Sequence, residues 1–196
     1  MARKQAADYE QRREAIVAQA ARLFAARGFL GASVADLAEA CKLSKSLIYH
    51  YYPSKEDILF EVMESHLLML TGAVETVVGS SAPVERKLRD LTHRFMGLYV
   101  GAQDRHKVLL NELDQLPADR RATIVTRQRR LIAEVETLVA ALRPDLATPR
   151  ARRPLTMLYF GMINWTHTWF DPKGPTTPDE VADLVVELVR GKASQS

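Results

Sequence analysis

The spacing of the apolar residues is the strongest constraint on the fold, because these residues recur every three or four positions along nearly the whole chain of 196 residues. In the segment 10–27, for example, one such stripe consists of Ile16, Ala20, Leu23 and Phe24. This period is typical of amphipathic helices, whereas strands would need apolar and polar residues to alternate between hairpin turns. The sequence contains no such run of alternation and therefore predicts an all-α fold.

Helix caps and helix-breaking residues divide the chain into segments. Gly28 follows the first helix, and Pro53 stops a later one, since proline disfavours helix in the residue before it. Between these two breaks, Ser33 and Ser44 precede two short helices, and serine is a preferred N-cap residue. Ser54 precedes a long fourth helix. Further helices are predicted at 84–101, 104–116, 118–142, about 149–170 and 178–190, which makes eight or nine helices and no sheet.

The basic residues are concentrated at the start of the chain. Residues 1–55 carry nine Lys or Arg side chains against five acids, whereas the other 141 residues carry 18 basic and 19 acidic groups. A partner with a phosphate backbone would require such a basic head, although a solvated basic surface would have the same composition. Arg3 and Lys4 form either an arm against that backbone or a disordered charged start.

The composition excludes several other classes of protein. Apolar residues make up 47% and charged residues 26%, which is ordinary for a folded domain. No apolar run approaches the ~20 residues of a membrane-spanning helix, and the first residues lack the apolar stretch of a secretory signal. We therefore expect a cytoplasmic protein that does not enter a membrane. The single cysteine, Cys41, excludes an intrachain disulfide and a multi-cysteine metal site, and no cofactor is expected.

The two short helices between Ser33 and Pro53 have the length of a helix-turn-helix, in which the second helix enters the DNA major groove. Apolar residues suited to hold the pair against the first helix are Leu37, Ala38, Leu43, Leu47 and Ile48. Hydrogen-bond donors and flat rings remain on the outside of the second helix, at Lys45, Ser46, Tyr49, His50 and Tyr51. Lys55 adds a positive charge near the N-terminus of the fourth helix, where free N–H groups favour phosphate. The alternatives are a small three-helix packing unit with a tyrosine-rich surface and a solvated lysine.

Segment 24–59 begins with a Phe and a Gly-Phe turn. A serine-capped helix follows, then a helix with the pattern Ser-Lys-x-x-x-Tyr-x-x-Tyr, and finally a helix that starts with Lys-Glu. The residues that form this pattern are Phe24, Gly28, Phe29, Ser33, Leu37, Ala38, Ser44, Lys45, Tyr49, Tyr52, Lys55 and Glu56. The pattern resembles the DNA-binding head of the TetR family of bacterial repressors. One position departs from it, because the family frequently has glycine where this chain has Lys42.

The resemblance implies a three-helix DNA-binding domain at residues 1–55 and a larger helical domain for ligand binding and dimerisation at residues 56–196. It also implies that Tyr52 packs inward. The residues expected to face operator DNA are Ser33, Ser44, Lys45, Ser46, Tyr49, His50, Tyr51 and Lys55. Among them, Ser46 and His50 are the candidates for reading base edges, and the tyrosines would mostly meet phosphates.

The last two helices have the composition of a dimer interface. Segment 154–170 is apolar around most of its circumference, and segment 180–189 carries an apolar stripe. A helix that is apolar on every side must be buried on every side. The resemblance implies the same arrangement, since TetR-family dimers pair their last two long helices as a four-helix bundle. The alternative is a core helix within one monomer.

The C-terminal half resembles one subgroup of the family in the stretches 109–117, 128–139 and 160–192. These look like regulators of fatty-acid, steroid and phenylacetate degradation, which release DNA on binding an acyl- or aryl-CoA thioester. Phenylacetyl-CoA is the effector that the resemblance favours, and a different small apolar molecule is the alternative. Candidate ligand-binding residues, expected to point inward, are Met96, Tyr99, Asn111, Tyr159, Asn164 and His167. Several of these would serve equally as plain core. Arginines available for the CoA phosphates are Arg86, Arg89, Arg94, Arg105, Arg127, Arg129, Arg130, Arg152 and Arg153.

An enzyme and a protein-binding adaptor are the competing classes. The chain has five histidines, but none stands in a metal-binding spacing such as HExxH. The sequence also lacks a GxSxG elbow and a phosphate-cradling glycine loop. We therefore expect no catalytic site and no metal site. A helical adaptor that binds only protein is the remote alternative, and it would have no salt-dependent affinity for DNA.

Overall fold

A computed structural model describes the backbone of residues 2–191 and the side chains from residue 8, so the side chains of Arg3 and Lys4 lie outside the described part. Within residues 2–191 the chain forms α-helices and two 3₁₀ turns, Leu113–Gln115 and Pro144–Leu146, and no strand. The prediction of an all-α fold is therefore confirmed. The helices are α1 (Ala2–Gly31), α2 (Val34–Cys41), α3 (Lys45–Tyr51), α4 (Lys55–Val78), α5 (Val84–Gly101), α6 (Gln103–Asn111), α7 (Ala118–Leu142), α8 (Arg152–Asn164), α9 (Thr166–Trp169) and α10 (Pro178–Arg190).

Helix α1 is longer than its apolar stripe predicted. It begins at Ala2 rather than near residue 10, because residues 2–9 contain neither glycine nor proline and the helix propagates through them. Gly28 interrupts the regular helix with a φ of 72°, a conformation that favours glycine, and one further turn follows it. The predicted stop at Gly28 is therefore a kink.

The predicted single helix at 149–170 is wrong in detail. Helix α8 begins at Arg152, and Trp165 separates it from α9. Around this break, Thr166 and Thr168 each donate a side-chain hydroxyl to the carbonyl three residues earlier, at 2.6 and 2.7 Å, and His167 Nδ1 lies 2.7 Å from the Asn164 carbonyl. Such side chains compete with the helical backbone for its carbonyl groups. They offer a physical reason for the interruption.

The chain divides into two compact units. The first comprises the chain up to His66 together with Asp104–Val125, and the second comprises Leu67–Gln103 and the chain from Thr126 onward. Helices α4 and α7 contribute residues to both units. The predicted division at residue 55 concerns DNA binding and ligand binding, and it stays a prediction.

In the first unit, α2 packs against both α1 and α3. Both short helices have serine N-caps, as predicted. Ser33 forms a capping box with Asp36, and the Ser44 hydroxyl oxygen accepts the Leu47 N–H at 3.1 Å. Helices α1 to α4 all contribute buried residues to this unit, among them Ile16, Ala20, Phe24, Leu37, Ala38, Ile48, Tyr52, Ile58 and Leu59. The helix-turn-helix therefore has its own apolar support.

In the second unit, α10 packs against α5 and α8. Val181, Val185 and Val189 form the buried stripe of α10. On α5, the Phe95 ring lies 6.3 Å from the Phe160 ring of α8, centroid to centroid. None of the described helices combines the length and the low charge that crossing a bilayer would require.

Candidate functional site

The outer side of α3 carries a group of exposed polar and aromatic side chains. Ile48 is fully buried and fixes the inner side of the helix. Since residues four apart share one face of a helix, Lys45 and Tyr49 lie one above the other on the outside, as do Ser46 and His50. All four are exposed, and 48% of Tyr49 is accessible. The predicted DNA-facing residues of this helix therefore form one continuous outer surface.

The two serines predicted to face DNA also cap helices. Ser44 is exposed, and its hydroxyl oxygen accepts a backbone N–H at the start of α3. The exposed Ser33 donates its hydroxyl to the carboxylate of Asp36, and the hydrogen bonds from Ser33 lower the pKa of that carboxyl. The Ser33 hydroxyl proton is thus engaged within the capping box. Contact of either serine with DNA stays a prediction.

The remaining two predicted DNA contacts, Tyr51 and Lys55, are half-buried. Tyr51 lies against the ring of Tyr9 on α1, with 4.8 Å between the ring centroids. The ammonium nitrogen of Lys55 lies 4.1 Å from the centroid of the Phe29 ring, a cation–π geometry. Lys55 is therefore held at the N-terminus of α4 by an aromatic face.

Tyr52 packs inward, with 3% of its surface accessible. Its hydroxyl oxygen accepts a hydrogen bond from Arg13 Nε at 3.3 Å, and Arg13 Nη2 pairs with Glu61 of α4 at 2.9 Å. Burial raises the pKa of the Tyr52 phenol. The hydrogen bond to Tyr52 is the main cause that raises the pKa of Arg13. Arg13 and Tyr9 were not predicted from the sequence, where their only signal is the i, i+4 spacing on α1.

Three of the six predicted ligand residues lie in the core of the second unit. Met96, Tyr99 and Tyr159 are buried, and burial raises the pKa of both tyrosines. The Tyr159 hydroxyl hydrogen-bonds with that of Thr92 at 3.0 Å, and the Tyr99 ring stacks on Phe95. In this conformation these contacts make the three residues part of a packed core.

His167 and Tyr99 line a cavity of about 10 Å³, together with Thr166, Phe170 and others. This volume is close to that of one water-sized probe. The side-chain oxygen of Asn164 is buried and has no hydrogen-bond partner among the described residues. An acyl or aryl group would enter here only if the surrounding helices moved apart.

Asn111 is not grouped with the other predicted ligand residues. It is exposed, belongs to the first unit, and donates its side-chain amide to the Lys107 carbonyl of its own helix at 2.9 Å. The expectation that this side chain points inward is wrong. The apolar pattern could not decide it, because Asn111 is the last residue of α6 and no turn of that helix follows it.

Three of the nine candidate arginines lie around one groove, and two others, Arg152 and Arg153, both pair with Glu136. Arg86, Arg89 and Arg94 line an open groove of about 1110 Å³ beside α10, and Arg190, which sequence analysis did not select, joins them. Three of these four cations already have carboxylate partners. The pairs are Arg86 with Asp90 at 2.8 Å, Arg89 with Asp183 at 2.9 Å, and Arg190 with Glu85 at 2.8 Å.

The last long helices carry a second apolar face that points to solvent. On α10, Leu184 is 58% and Leu188 is 68% accessible, and they lie beside the stripe of buried valines. Other exposed large apolar residues on α8, α9 and the break between them are Met157, Leu158, Trp165 and Trp169. Clusters of exposed apolar residues of this kind are typical of protein–protein interfaces.

The fold and the outer surface of α3 define the chain as a helix-turn-helix transcriptional regulator. Residues 16–62 match the family described as "Bacterial regulatory proteins, tetR family", and residues 81–192 match "Tetracyclin repressor-like, C-terminal domain". Because the second match alone covers more than half of the chain, the protein belongs to the TetR family. Its members are transcriptional regulators, and TetR repressors act as dimers that bind operator DNA and small-molecule effectors.

Several individual proteins are similar along nearly their whole length. The crystal structure of a TetR-family regulator from Bordetella parapertussis has 38% identity and a TM-score of 0.87, covering 90% of this chain and 93% of that one. The transcriptional repressor KstR2 of Mycolicibacterium smegmatis is 26% identical, over 94% of this chain and 92% of its own. The crystal structure of AibR in complex with isovaleryl coenzyme A and operator DNA has 29% identity and a TM-score of 0.78, covering 89% and 96%.

Proposed function

We propose that the protein is a TetR-type repressor that leaves its operator when it binds an acyl- or aryl-CoA thioester, with phenylacetyl-CoA as the first candidate. The observation that carries the DNA-binding part is the outer surface of α3, where Lys45, Ser46, Tyr49 and His50 are exposed above the buried Ile48. A repressor acts where its operator lies, so the proposal includes a cytoplasmic location.

Each exposed side chain of this surface has a proposed partner on DNA. Ser46 and His50 would hydrogen-bond to base edges in the major groove, and Lys45 and Tyr49 would bind phosphates. Tyr51, Lys55 and the capping serine Ser44 would contact the backbone at the rim of the groove. Ser33 would do so by transferring its hydroxyl hydrogen bond from Asp36 to a phosphate. Contacts to phosphate fix the register of the helix, and contacts to bases supply the specificity.

The proposed dimer forms through the exposed apolar face of α8 and α10, including Leu158, Leu184 and Leu188. One α3 reads only one half-site, and a two-fold dimer presents two of them about one helical turn of DNA apart, ~34 Å, or at multiples of that distance. Burial of leucines that are otherwise exposed is the driving force.

Support for a thioester effector comes from the chemistry of the second unit and from similar proteins. AibR was crystallised with isovaleryl coenzyme A and operator DNA. In this chain, Arg86, Arg89 and Arg94 lie in one groove. CoA phosphates would replace the present carboxylate partners of Arg86 and Arg89. The packed core around Tyr99 and His167 is the proposed acyl or aryl site, which would open on binding.

The proposed mechanism is a shift between two forms of the dimer. The ligand-free form holds the two α3 helices at the spacing of the DNA grooves, and the ligand binds better to a form with a different spacing. The loss of operator affinity then cannot exceed the differential affinity of the ligand for the two forms. A ligand that bound both forms equally would release nothing.

A gel-shift titration against the DNA upstream of the protein's own gene tests the DNA-binding part. The logarithm of the affinity should fall linearly with the logarithm of the salt concentration, and Tyr49→Ala should weaken binding to every duplex. Affinity that does not respond to salt would point to a protein-binding adaptor instead.

The effector part is tested on the same complex with phenylacetyl-CoA, isovaleryl-CoA, free CoA and free phenylacetate. We expect release by a thioester at micromolar concentration and none by the two free fragments. Release by free phenylacetate alone would identify a small apolar molecule as the effector. Lack of release by every thioester would reject the effector assignment and leave the DNA-binding part standing.

A further inference from the structure

Helix α1 contacts the C-terminal end of α3 through two residues that are one helical turn apart. Tyr9 packs its ring against Tyr51, with centroids 4.8 Å apart and planes inclined by 37°. Arg13, four residues later on the same face of α1, donates to the hydroxyl of Tyr52 at 3.3 Å. The consecutive residues 51 and 52 are thus held by positions i and i+4 of a single helix.

Arg13 also contacts a third helix, α4. Its guanidinium carbon lies 5.3 Å from the centroid of the Tyr52 ring, and Nη2 pairs with Glu61 of α4 at 2.9 Å. Arg13 of α1 therefore ties the end of α3 to α4. Because α3 has only seven residues and Ile48 is its one fully buried side chain, these contacts add much of what fixes its orientation.

The contact between Tyr9 and Tyr51 is linked to His50, one of the side chains proposed to read base edges. The Tyr51 ring meets the ring of His50 edge to face, with centroids 5.4 Å apart. His50 is exposed on the outer side of α3, next to Ser46. A chain of three rings, Tyr9, Tyr51 and His50, thus links the N-terminal half of α1 to a side chain proposed to read a base edge.

We propose that Tyr9 and Arg13 are positioning residues for DNA recognition, which act on specificity through Tyr51 and Tyr52 and do not themselves bind bases. The inference rests on the proposed DNA-binding function. Aromatic pairs are stabilised by more than the area that they bury, and their geometry is directional. Without the Tyr9 ring, Tyr51 and His50 can adopt other rotamers. Binding to DNA then has to order these two rings, and the free-energy cost of that ordering lowers the affinity.

A double-mutant cycle on the full-length protein tests whether Tyr9 acts through Tyr51. Tyr9→Leu should lower affinity for the operator by about three- to ten-fold, the range for loss of one aromatic pair. Affinity for unrelated duplex should fall less, because there the change reaches only the proposed phosphate contact of Tyr51 and not the proposed base contact of His50. In a Tyr51→Leu background, Tyr9→Leu should have no further effect, because the partner ring is already absent. Equal losses in the two backgrounds would overturn the proposal.

Tyr9→Phe is the matched control, since it keeps the ring and removes only the hydroxyl. It should retain wild-type operator affinity and the wild-type slope against salt. A loss in Tyr9→Phe with a lower salt slope would mean that the hydroxyl binds phosphate directly, and the positioning role would be rejected. Tyr9→Gln, a good helix former, provides a second variant without the ring.

Amide hydrogen exchange in the free protein separates this inference from the proposed function. Tyr9→Leu should speed exchange of the α3 amides relative to Tyr9→Phe and leave exchange in α10 unchanged, with the melting temperature lowered by roughly 1–6 °C. Unchanged amide exchange in α3 would contradict the positioning role of Tyr9, whether or not the protein binds DNA. Faster α3 exchange in Tyr9→Leu, together with a wild-type protein that binds no duplex, would retain the positioning role of Tyr9 and reject the proposed function.

Discussion

Lys42 has the least favourable backbone conformation of the helix-turn-helix. It ends α2 in the left-handed region, with φ 56° and ψ 41°, and is the one non-glycine residue with positive φ in the described part of the chain. Its N–H donates to the carbonyls of Ala38 and Glu39, and the Leu43 N–H donates to the Ala38 carbonyl at 2.8 Å. This hydrogen-bond pattern at the end of a helix usually contains glycine, which has no Cβ atom to be strained in the left-handed region.

Lys42→Gly should therefore stabilise the protein. Relief of the left-handed strain outweighs the extra freedom of glycine in the unfolded chain, and we expect a net gain of about 0.5–1 kcal/mol, or roughly 1–4 °C in melting temperature. Lys42→Ala is the control, because it removes the same charge and keeps a Cβ atom. Thermal unfolding of both variants checks the prediction, and an equal gain in the two would assign the effect to charge.

At the scale of helices, the sequence predicts most segments and misses contacts between them. Serine at positions 33 and 44 predicts the starts of α2 and α3, because an N-cap is a local interaction of three residues. The break at Trp165 is missed, since it involves hydroxyl and imidazole groups that also occur inside regular helices. Tyr9 and Tyr51 are 42 positions apart, and the period of an apolar stripe carries no information about a contact at that separation.

The docking of α10 on α5 depends on a histidine between two carboxylates. His93 Nδ1 lies 2.8 Å from Asp179 and Nε2 lies 2.7 Å from Asp183, which also pairs with Arg89. Burial alone would lower the pKa of His93, but the hydrogen bonds to Asp183 and Asp179 outweigh it and raise the pKa above its ordinary value. Only the doubly protonated ring donates to both carboxylates.

Stability should therefore decline as the pH rises through the folded-state pKa of His93. A pKa that is higher in the folded state contributes stability that is fully present below the unfolded-state value, about 6.5, and is lost above the raised value. We expect the difference in melting temperature between wild type and His93→Gln to shrink between pH 5.5 and 9. A difference that is constant over this range would mean that the contact is a neutral hydrogen bond.

At the scale of the whole molecule, helix α10 carries one apolar stripe that is buried within the chain and another that is exposed to solvent. Val181, Val185 and Val189 are buried within the second unit, whereas Leu184 and Leu188 are exposed. The apolar stripe that the sequence shows is therefore two stripes, which the 3.6-residue period could not distinguish because both are apolar. One supports the fold of a single chain, and the other is free to pair with a second copy across a two-fold axis.

Leu188→Glu should convert the proposed dimer into folded monomers. Each buried leucine is worth about 1.5–3 kcal/mol and a two-fold axis doubles the loss, so the dimer dissociation constant should rise at least about 100-fold. Light scattering after gel filtration measures the change in mass, and circular dichroism should show that helicity is retained. Operator affinity should fall with it, because a monomer reads only one half-site.

Leu68→Glu is the matched control for this experiment, since Leu68 is also exposed, at 49%, and lies on α4 instead of α8 or α10. It adds the same charge to the surface and should leave both the mass and the operator affinity unchanged. If Leu188→Glu stays dimeric, the exposed face of α10 is not the interface and the arrangement of the two α3 helices must be set elsewhere. If both variants dissociate, added negative charge rather than the position on α10 is responsible.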